Sequence, residues 1–333
     1  MSHFTVLVVG PEPEKQLAPY HEFECTGADN EYVQDIDITS KVVAARRDEV
    51  FLDAAKVSRC TRETRAVMQE RNPLLDVLEH FGLHETLIRI TPRIGTDAEQ
   101  IAAQLDLAGK HKFGYAVVNE DVTELVKVID RTNPNKKWDW YQLGGRWTGF
   151  FQLLPGKEGT LGRPGLMTEA PEKGRADAAL KQDIDIEAIR DEAEMKARKL
   201  YREFHRWCAG LPAPEAWTTV LGRFGEKELD AARTAYGAQP VIARLREHRS
   251  LFWIEEPRDF FLQSEEEQVL RARSSALVPF AFVKDGKWCE RGEMGFWAMV
   301  SNETPRDEWE EQFSKMLDAL PGDTLLSLYD CHI

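Results

Sequence analysis

Runs of apolar and β-branched residues predict strands at both ends of the chain. Residues 4–9 form an apolar run that stops at a Gly-Pro pair, which is typical of a buried strand. Because this run lacks a basic flank and a small-residue cleavage site, we expect a first strand and not a signal peptide. Residues 324–332 predict the last strand. Between them, Asp285-Gly286 separates two strand-like stretches, which is the strongest short-range signal for a β-hairpin.

A helical period dominates the middle of the chain. Residues 184–211 keep an apolar stripe at helical spacing, with acids and bases at the other positions. Residues 227–248 predict a second helical stretch, which Pro240 breaks. Residues 265–276 predict a third helix, and Pro305 opens a fourth near the end of the chain.

Shorter patterns occupy the first half of the chain, where periodicity is less sustained. They predict strands at 87–91 and 115–118, helical segments at 41–81 and 122–129, and a helix start at Thr96, with Glu99 three residues further on.

The segment 133–151 is the densest aromatic stretch and predicts a second β-hairpin. It carries Trp138, Trp140, Tyr141 and Trp147 on either side of a Gly144-Gly145 pair. Aromatic walls with a few fixed polar groups line ligand pockets, but they also fill compact cores. The tryptophans therefore either stack a base or belong to the interior.

The register of this hairpin decides which polar residues meet. If Leu143-Gly144 forms the turn, Asp139, Tyr141, Arg146 and Thr148 share one face as a polar patch. A turn at residues 144–145 instead shifts the register by one residue, and the four residues then no longer share a face. In the first register, Arg146 can bind a phosphate or carboxylate of a ligand, or it can pair with Asp139.

These patterns predict an α+β protein with antiparallel sheet and a helical middle segment. Similar chemistry in the two predicted hairpins leaves two related α+β halves as one option. We expect an N-terminal α+β region at 1–156, a loop or linker at 157–182, a helical segment at 183–276, and a C-terminal α+β region at 277–333 that packs with the first strand.

The composition and net charge indicate a globular protein and bear on its expected partners. The 333 residues carry a net charge of −14 with 30% charged and 42% hydrophobic residues, which is typical of a globular protein. Such an acidic chain repels phosphate backbones, so nucleic acid is not an expected partner. No stretch has the roughly 18 apolar residues of a membrane span. The five cysteines are widely spaced and lack a Cys-x-x-Cys pair, which favours reduced thiols in the cytoplasm.

Two groups of polar residues are candidates for catalysis. His21 and Cys25 lie four residues apart, with glutamates between them. Asp330 and His332 share one face of the last predicted strand, so they can orient each other, whereas Cys331 points to the opposite face. If the chain ends pair as neighbouring strands, these groups converge into an acid-base or metal site; otherwise they are scattered surface residues. The sequence alone assigns no metal ligands and no cofactor.

Five segments of the chain are similar to a family of uncharacterised proteins encoded by bacteriophages, prophages and some bacterial genomes. They are the start MSHFTVLVVG, the segment QLAPYHEFEC at 16–25, the motif KWDWYQLGGRW at 137–147, the segment EMGFW at 293–297 and the ending DCHI. The match excludes residues 41–133. The family has no known activity, so the resemblance implies only a phage or mobile-element origin and a role inside a bacterial host cell. A second likeness, through the Trp-Asp motif, is to plasmid and phage proteins with ferredoxin-like domains.

Three functions remain open at this point. The first is binding of a small molecule or nucleotide in an aromatic pocket formed around the hairpin. The second is a protein-interaction module that blocks or redirects a bacterial host protein. The third is a hydrolase that uses His21, Asp330 and His332, or a metal site.

Overall fold

The chain folds into two compact units of mixed α+β structure. The computed structural model describes residues 2–44, 73–81, 83, 87–89, 112–121, 123–166, 168–224, 228–254, 256–295 and 299–333. The first unit comprises Met1–Gln16 and Tyr141–Cys331, and the second comprises Leu17–Trp140 and His332–Ile333. The predicted helix start at Thr96, and most of the predicted helical segment 41–81, lie outside the described residues.

Helices are concentrated in the second half of the described chain. They are α1 (Pro13–Leu17), α2 (Phe23–Thr26), α3 (Pro73–His80), α4 (Ile186–Trp207), α5 (Trp217–Phe224), α6 (Leu229–Gly237), α7 (Pro240–Arg246), α8 (Asp259–Leu262), α9 (Glu265–Ser275) and α10 (Arg306–Asp318). Among the described helices, none combines the length and the apolar character that a bilayer crossing requires.

Strands occur in both units. They are β1 (His3–Val9), β2 (Gln34–Asp37), β3 (Leu87–Arg89), β4 (Gly114–Val118), β5 (Leu125–Thr132), β6 (Trp140–Gly145), β7 (Phe151–Gln152), β8 (Arg163–Pro164), β9 (Arg175–Ala176), β10 (Ala178–Leu180), β11 (Ala281–Lys284), β12 (Lys287–Glu290), β13 (Glu293–Met294), β14 (Val300–Ser301) and β15 (Leu325–His332).

We predicted an antiparallel sheet, whereas the main sheet of the first unit is mixed. Its order is β12-β11-β1-β15-β6-β8, and β10 also pairs with β15. The predicted hairpin at Asp285-Gly286 is confirmed, since β11 and β12 pair antiparallel. However, β1 and β11 run parallel, as do β6 and β8. Residues 157–182, which we expected to form a loop or linker, include β8, β9 and β10.

Helix α10 covers one face of this sheet. Trp309, Phe313 and Leu317 recur every fourth residue, so they form one buried stripe. The stripe packs in a single cluster with Leu7 of β1 and Leu328 of β15. Apolar positions from both ends of the chain therefore build one core.

The second unit contains a four-stranded sheet of order β2-β5-β4-β3. Residues 125–132 form its strand β5, which pairs antiparallel with β2 and β4, so the predicted helix at 122–129 is wrong. The segment is rich in β-branched residues, which favour a strand with neighbours on both edges. Val128 of β5 and Leu78 of α3 belong to the core of this unit.

The hairpin predicted for residues 133–151 is also wrong. Strand β6 lies between β15 and β8, and β7 pairs with β9. Gly144 and Gly145 do have positive φ angles, of 74° and 55°. A Cβ on Gly144 would lie 2.3 Å from the Asp177 carboxylate, and one on Gly145 would lie 2.4 Å from that of Asp330. The glycine pair therefore lets the backbone approach two buried acids and does not form a hairpin turn.

A short ion-pair network joins α4 to β9 and gives a pH-dependent prediction. Glu192 pairs with Lys196 at 2.7 Å and with Arg175. Hydrogen bonds from Lys196 and then Arg175 outweigh burial and hold the pKa of Glu192 below its ordinary value. A carboxylate with a lowered pKa stabilises the fold above its unfolded-state pKa, and this contribution disappears as the pH falls through the folded-state pKa.

We therefore expect Glu192→Gln to lower the free energy of unfolding by roughly 0.5–1 kcal/mol at neutral pH. Chemical unfolding of both proteins, repeated toward acid, should show this difference disappear at pH values well below the ordinary Glu pKa of about 4.3. Glu266→Gln, at an exposed glutamate of α9, is the matched control and should change little. A difference that stays constant with pH would contradict the assignment.

Candidate functional site

The segment 133–139 of the second unit is fixed against residues 19–22 by side-chain and backbone hydrogen bonds. The buried Asn133 amide donates to the carbonyls of Pro19 and His21 at 2.8 and 2.9 Å. The Glu22 backbone N–H donates to the Trp138 carbonyl at 2.7 Å. This frame places the side chains of both segments beside one another.

Trp138, a predicted ligand-stacking residue, belongs to the interior of this unit. It is 6% exposed, and its Nε1 donates to the Leu17 carbonyl at 3.2 Å. The His21 ring lies against it, with 4.7 Å between ring centroids. His21 and Trp138, which the sequence analysis singled out separately, are thus in packing contact.

Asp139 and His332 form a hydrogen-bonded pair. The Asp139 N–H donates to the His332 carbonyl at 2.9 Å, which aligns the two side chains. His332 Nδ1 lies 2.6 Å from Asp139 Oδ1. Because a carboxylate only accepts hydrogen bonds, Nδ1 carries the proton in this pair. The carboxylate thereby fixes both the tautomer and the orientation of the imidazole.

Cys25, in the short helix α2, completes a cluster with Glu22 and Asp139. One ligand atom of each residue, two carboxylate oxygens and a thiol sulfur, lie within 4.8 Å of one another. The Cys25 thiol donates to Glu22 Oε2 at 3.5 Å. Burial and the neighbouring Glu22 carboxylate raise the thiol pKa to about 11. At neutral pH the thiol is therefore protonated and is a poor nucleophile as it stands.

Lys136 lies between two acids at the edge of this cluster. Its Nζ donates to Glu22 at 3.0 Å and to Glu24 at 2.7 Å. Although burial acts against it, these hydrogen bonds raise the pKa of Lys136. Burial likewise opposes a lowered pKa of Glu24, but hydrogen bonds from Lys136 and Thr132 outweigh it. Lys136 thus fixes the Glu22 side chain and compensates part of the negative charge.

Asp330 lies in the first unit and is fully buried there. Its Oδ1 is 2.7 Å from His3 Nδ1, and its Oδ2 accepts from the Arg146 backbone N–H at 2.9 Å. We expected Asp330 to orient His332, whereas its carboxylate is bound to His3. Asp330 therefore anchors the start of β1 and the turn that follows β6.

The remaining residues of the aromatic motif have individual roles. Tyr141 packs edge-on against Tyr329, with centroids 5.4 Å apart, and burial raises its pKa. Trp147 packs against the main core of the first unit. Trp140 is 45% exposed. The Arg146 side chain is exposed and has no ion pair within the described residues.

Asp177 is a buried acid that sequence reasoning missed. Its Oδ1 accepts from the N–H groups of Gly149 and Phe150 at 2.6 and 3.2 Å. Its Oδ2 accepts from the Gly162 N–H at 2.8 Å and from the Thr148 hydroxyl at 3.0 Å. These four bonds hold together two loops of the first unit. An isolated Asp between two alanines gives no sequence signal for such a role.

Comparisons with protein families, with curated proteins and with solved structures gave no match for this chain.

Proposed function

We propose that the second unit binds a divalent transition-metal ion and that the protein is a metal-dependent hydrolase. The observation that carries this proposal is the cluster of Glu22, Cys25 and Asp139, whose ligand atoms lie within 4.8 Å of one another. Two segments that are distant in the sequence supply them, and backbone hydrogen bonds hold these segments together.

The donor atoms fit zinc best. A thiolate favours zinc over magnesium or calcium, which prefer oxygen donors. Zinc binds sulfur at about 2.3 Å and carboxylate oxygen at about 2.0–2.2 Å, so the three side chains must close in slightly around the ion. Cys25 is exposed and lies in a helix of only four residues, which leaves room for that adjustment.

The charge at the cluster favours a cation. Glu22, Glu24 and Asp139 lie near one another, and Lys136 pairs with the two glutamates. Glu24 Oε2 is buried and has no hydrogen-bond partner within the described part of the chain. A bound dication compensates such a site and stabilises the thiolate form of Cys25.

Three protein ligands leave a coordination position for water, which is the arrangement of catalytic zinc sites. A zinc ion held by Glu22, Cys25 and Asp139 would supply there a bound water with a pKa of about 7, which could serve as the nucleophile for attack on a carbonyl or phosphoryl group. His332 orients Asp139 from outside the ligand shell, and Lys136 does the same for Glu22. His332 also carries a proton at Nδ1 beside the cluster.

Other expectations have less support. Trp138 is buried with its Nε1 bonded, and Trp147 packs against the core, so neither ring favours the nucleotide-pocket hypothesis. The phage association, the host-protein partner and the ferredoxin-like halves stay predictions from the sequence.

The test is hydrolysis of p-nitrophenyl acetate and p-nitrophenyl phosphate by the zinc-reconstituted protein. We expect turnover of at least one substrate that a chelator stops, that zinc restores and that Asp139→Asn abolishes. Cys289→Ser, which changes a thiol in the first unit, is the matched control and should retain full turnover. Zinc binding without zinc-dependent turnover would refute the hydrolase, and failure to bind zinc would refute the metal centre as well.

A further inference from the structure

Lys112 lies against the end of helix α2 and has no carboxylate partner within the described residues. It is two residues before strand β4, in the same unit as the acidic cluster. Its Nζ donates to the carbonyl of Thr26 at 3.4 Å. Thr26 directly follows Cys25 in α2, so the ammonium group lies next to the part of the chain that supplies the thiol of the cluster.

Two neighbours define the position of this side chain. Gly27 follows α2 in the left-handed conformation, with a φ angle of 57°, and a Cβ at this position would overlap the end of the Lys112 side chain. The ammonium nitrogen also lies 5.6 Å from the centre of the Phe113 ring, which is a cation–π contact. Phe113 in turn packs edge-on against Phe23 of α2, with centroids 5.5 Å apart. These contacts hold Lys112 across the end of α2 without compensating its charge.

The two lysines near the cluster differ in what they have left to bind. Lys136 donates to the carboxylates of Glu22 and Glu24, so its charge is already compensated. Lys112 is exposed and uses one of its three N–H donors on a neutral carbonyl. Its charge and two donors are therefore available to an anion.

The charge balance of the cluster depends on this lysine. With a divalent ion bound and the Cys25 thiol deprotonated, the three ligands and Glu24 carry four negative charges. The ion and Lys136 supply three positive charges, and Lys112 brings the balance to zero. An anionic group at the open coordination position therefore meets a neutral site with one unpaired cation at its edge.

Charges further from the cluster change this balance little. Arg131 pairs with Asp29 and Asp35, and both aspartates are more than half exposed, so water and salt screen their charges. Asp130 has Lys41 as well as a second lysine among its charged neighbours, so it adds no unopposed charge. These pairs leave Lys112 as the uncompensated cation beside α2.

We propose that the substrate is a phosphate monoester and that Lys112 binds its phosphoryl group. This inference rests on the metal-dependent hydrolase proposed above, and it chooses between the carbonyl and phosphoryl substrates open to that site. Lys112 Nζ donates to a non-bridging oxygen of the ester, and a lysine in this position offsets the charge that the phosphoryl oxygens carry during transfer. In the reaction the oxygen of water bonds to phosphorus, the ester P–O bond breaks, and the proton that water loses ends on the leaving alcohol.

Steady-state kinetics of the zinc-reconstituted protein with p-nitrophenyl phosphate and p-nitrophenyl acetate test the proposal. Lys112→Gln should raise the KM for the phosphate at least about tenfold, which is the loss expected for one hydrogen bond to a charged group. The KM for the uncharged acetate should change far less. Lys127→Gln removes the same charge from an exposed position of β5 and should behave as the unmodified protein does.

Gly27→Asn provides a second variant, which leaves all charges in place. Asparagine tolerates the left-handed conformation, and its side chain occupies the space that Lys112 now fills. It should therefore raise the KM for the phosphate selectively, as Lys112→Gln does. Both variants should keep the zinc affinity of the unmodified protein, because Lys112 is not a ligand of the ion.

A binding measurement separates this inference from the hydrolase itself. Calorimetric titration of the zinc-reconstituted protein with phenylphosphonate, which has no ester bond, should show saturable one-to-one binding that Lys112→Gln weakens about tenfold. Zinc-dependent turnover of the acetate without turnover of the phosphate would overturn the inference and leave the hydrolase intact. Equal effects of Lys112→Gln and Lys127→Gln would also overturn it, and a protein that binds no zinc would refute both proposals.

Discussion

Replacing Asp177 with alanine is expected to lower the free energy of unfolding by about 3–5 kcal/mol. The carboxylate is fully buried and accepts four hydrogen bonds, three of them from backbone N–H groups. Alanine leaves these donors buried without acceptors, and each costs about 1–3 kcal/mol. The free energy of unfolding of a domain is typically only about 5–15 kcal/mol, so this loss is a large fraction of the total stability.

Chemical unfolding with a two-state fit measures the effect. Asp177→Asn keeps one carbonyl oxygen but places an amide N–H₂ against donors, so we expect it to recover only part of the loss. Asp323→Ala is the control at an exposed aspartate of the same unit and should stay within about 0.5 kcal/mol. If Asp177→Ala were as stable as that control, the role of Asp177 in holding the two loops would be excluded.

Replacing Cys25 with serine is expected to weaken zinc binding by more than about 100-fold, since even outer-shell changes cost 10–100-fold. Serine keeps the size of the side chain but removes the thiolate that zinc prefers over magnesium. Glu22→Gln should have an effect of similar size. His332→Ala acts only through Asp139, so its effect should fall within the outer-shell range.

Competition of each protein with a chromogenic zinc chelator measures these affinities. Cys289→Ser is the matched control, because it removes a half-buried thiol from the other unit. Equal zinc affinity of the Cys25→Ser and Cys289→Ser variants would show that Cys25 is not a ligand.

Much of the first unit could be predicted because its local signals agree with its tertiary packing. The Asp285-Gly286 turn, the apolar stripe of α4 and the end strands β1 and β15 all form as expected. The apolar stripe of α4 includes the buried residues Ile189 and Phe204, and the apolar runs of β1 and β15 are mostly buried.

Two elements could not be predicted because their signals were ambiguous. A Gly-Gly pair fits a hairpin turn, but it also fits a close approach of backbone to side chain, and here Asp177 and Asp330 require the latter. In residues 125–132, β-branched residues favoured a strand while the spacing of apolar residues suggested a helix. The segment forms a strand because it pairs with β2 on one edge and with β4 on the other.

The candidate site was predicted in part. His21, Cys25 and His332 do belong to one unit, together with the motif residues Trp138 and Asp139. Cys25 contributes to the acidic cluster, His332 binds Asp139, and His21 packs against Trp138. Lys136 could not be assigned a role, because its two glutamate partners lie more than a hundred residues away in the sequence. Such contacts depend on the tertiary fold and leave no local pattern.

The zinc K-edge absorption spectrum of the reconstituted protein tests the metal centre most directly. The proposed ligands predict one sulfur at about 2.3 Å and oxygen donors at about 2.0–2.2 Å. In Cys25→Ser the sulfur shell should disappear, while Cys289→Ser should keep it. A spectrum with only nitrogen and oxygen donors in the unmodified protein would contradict a centre formed by Glu22, Cys25 and Asp139.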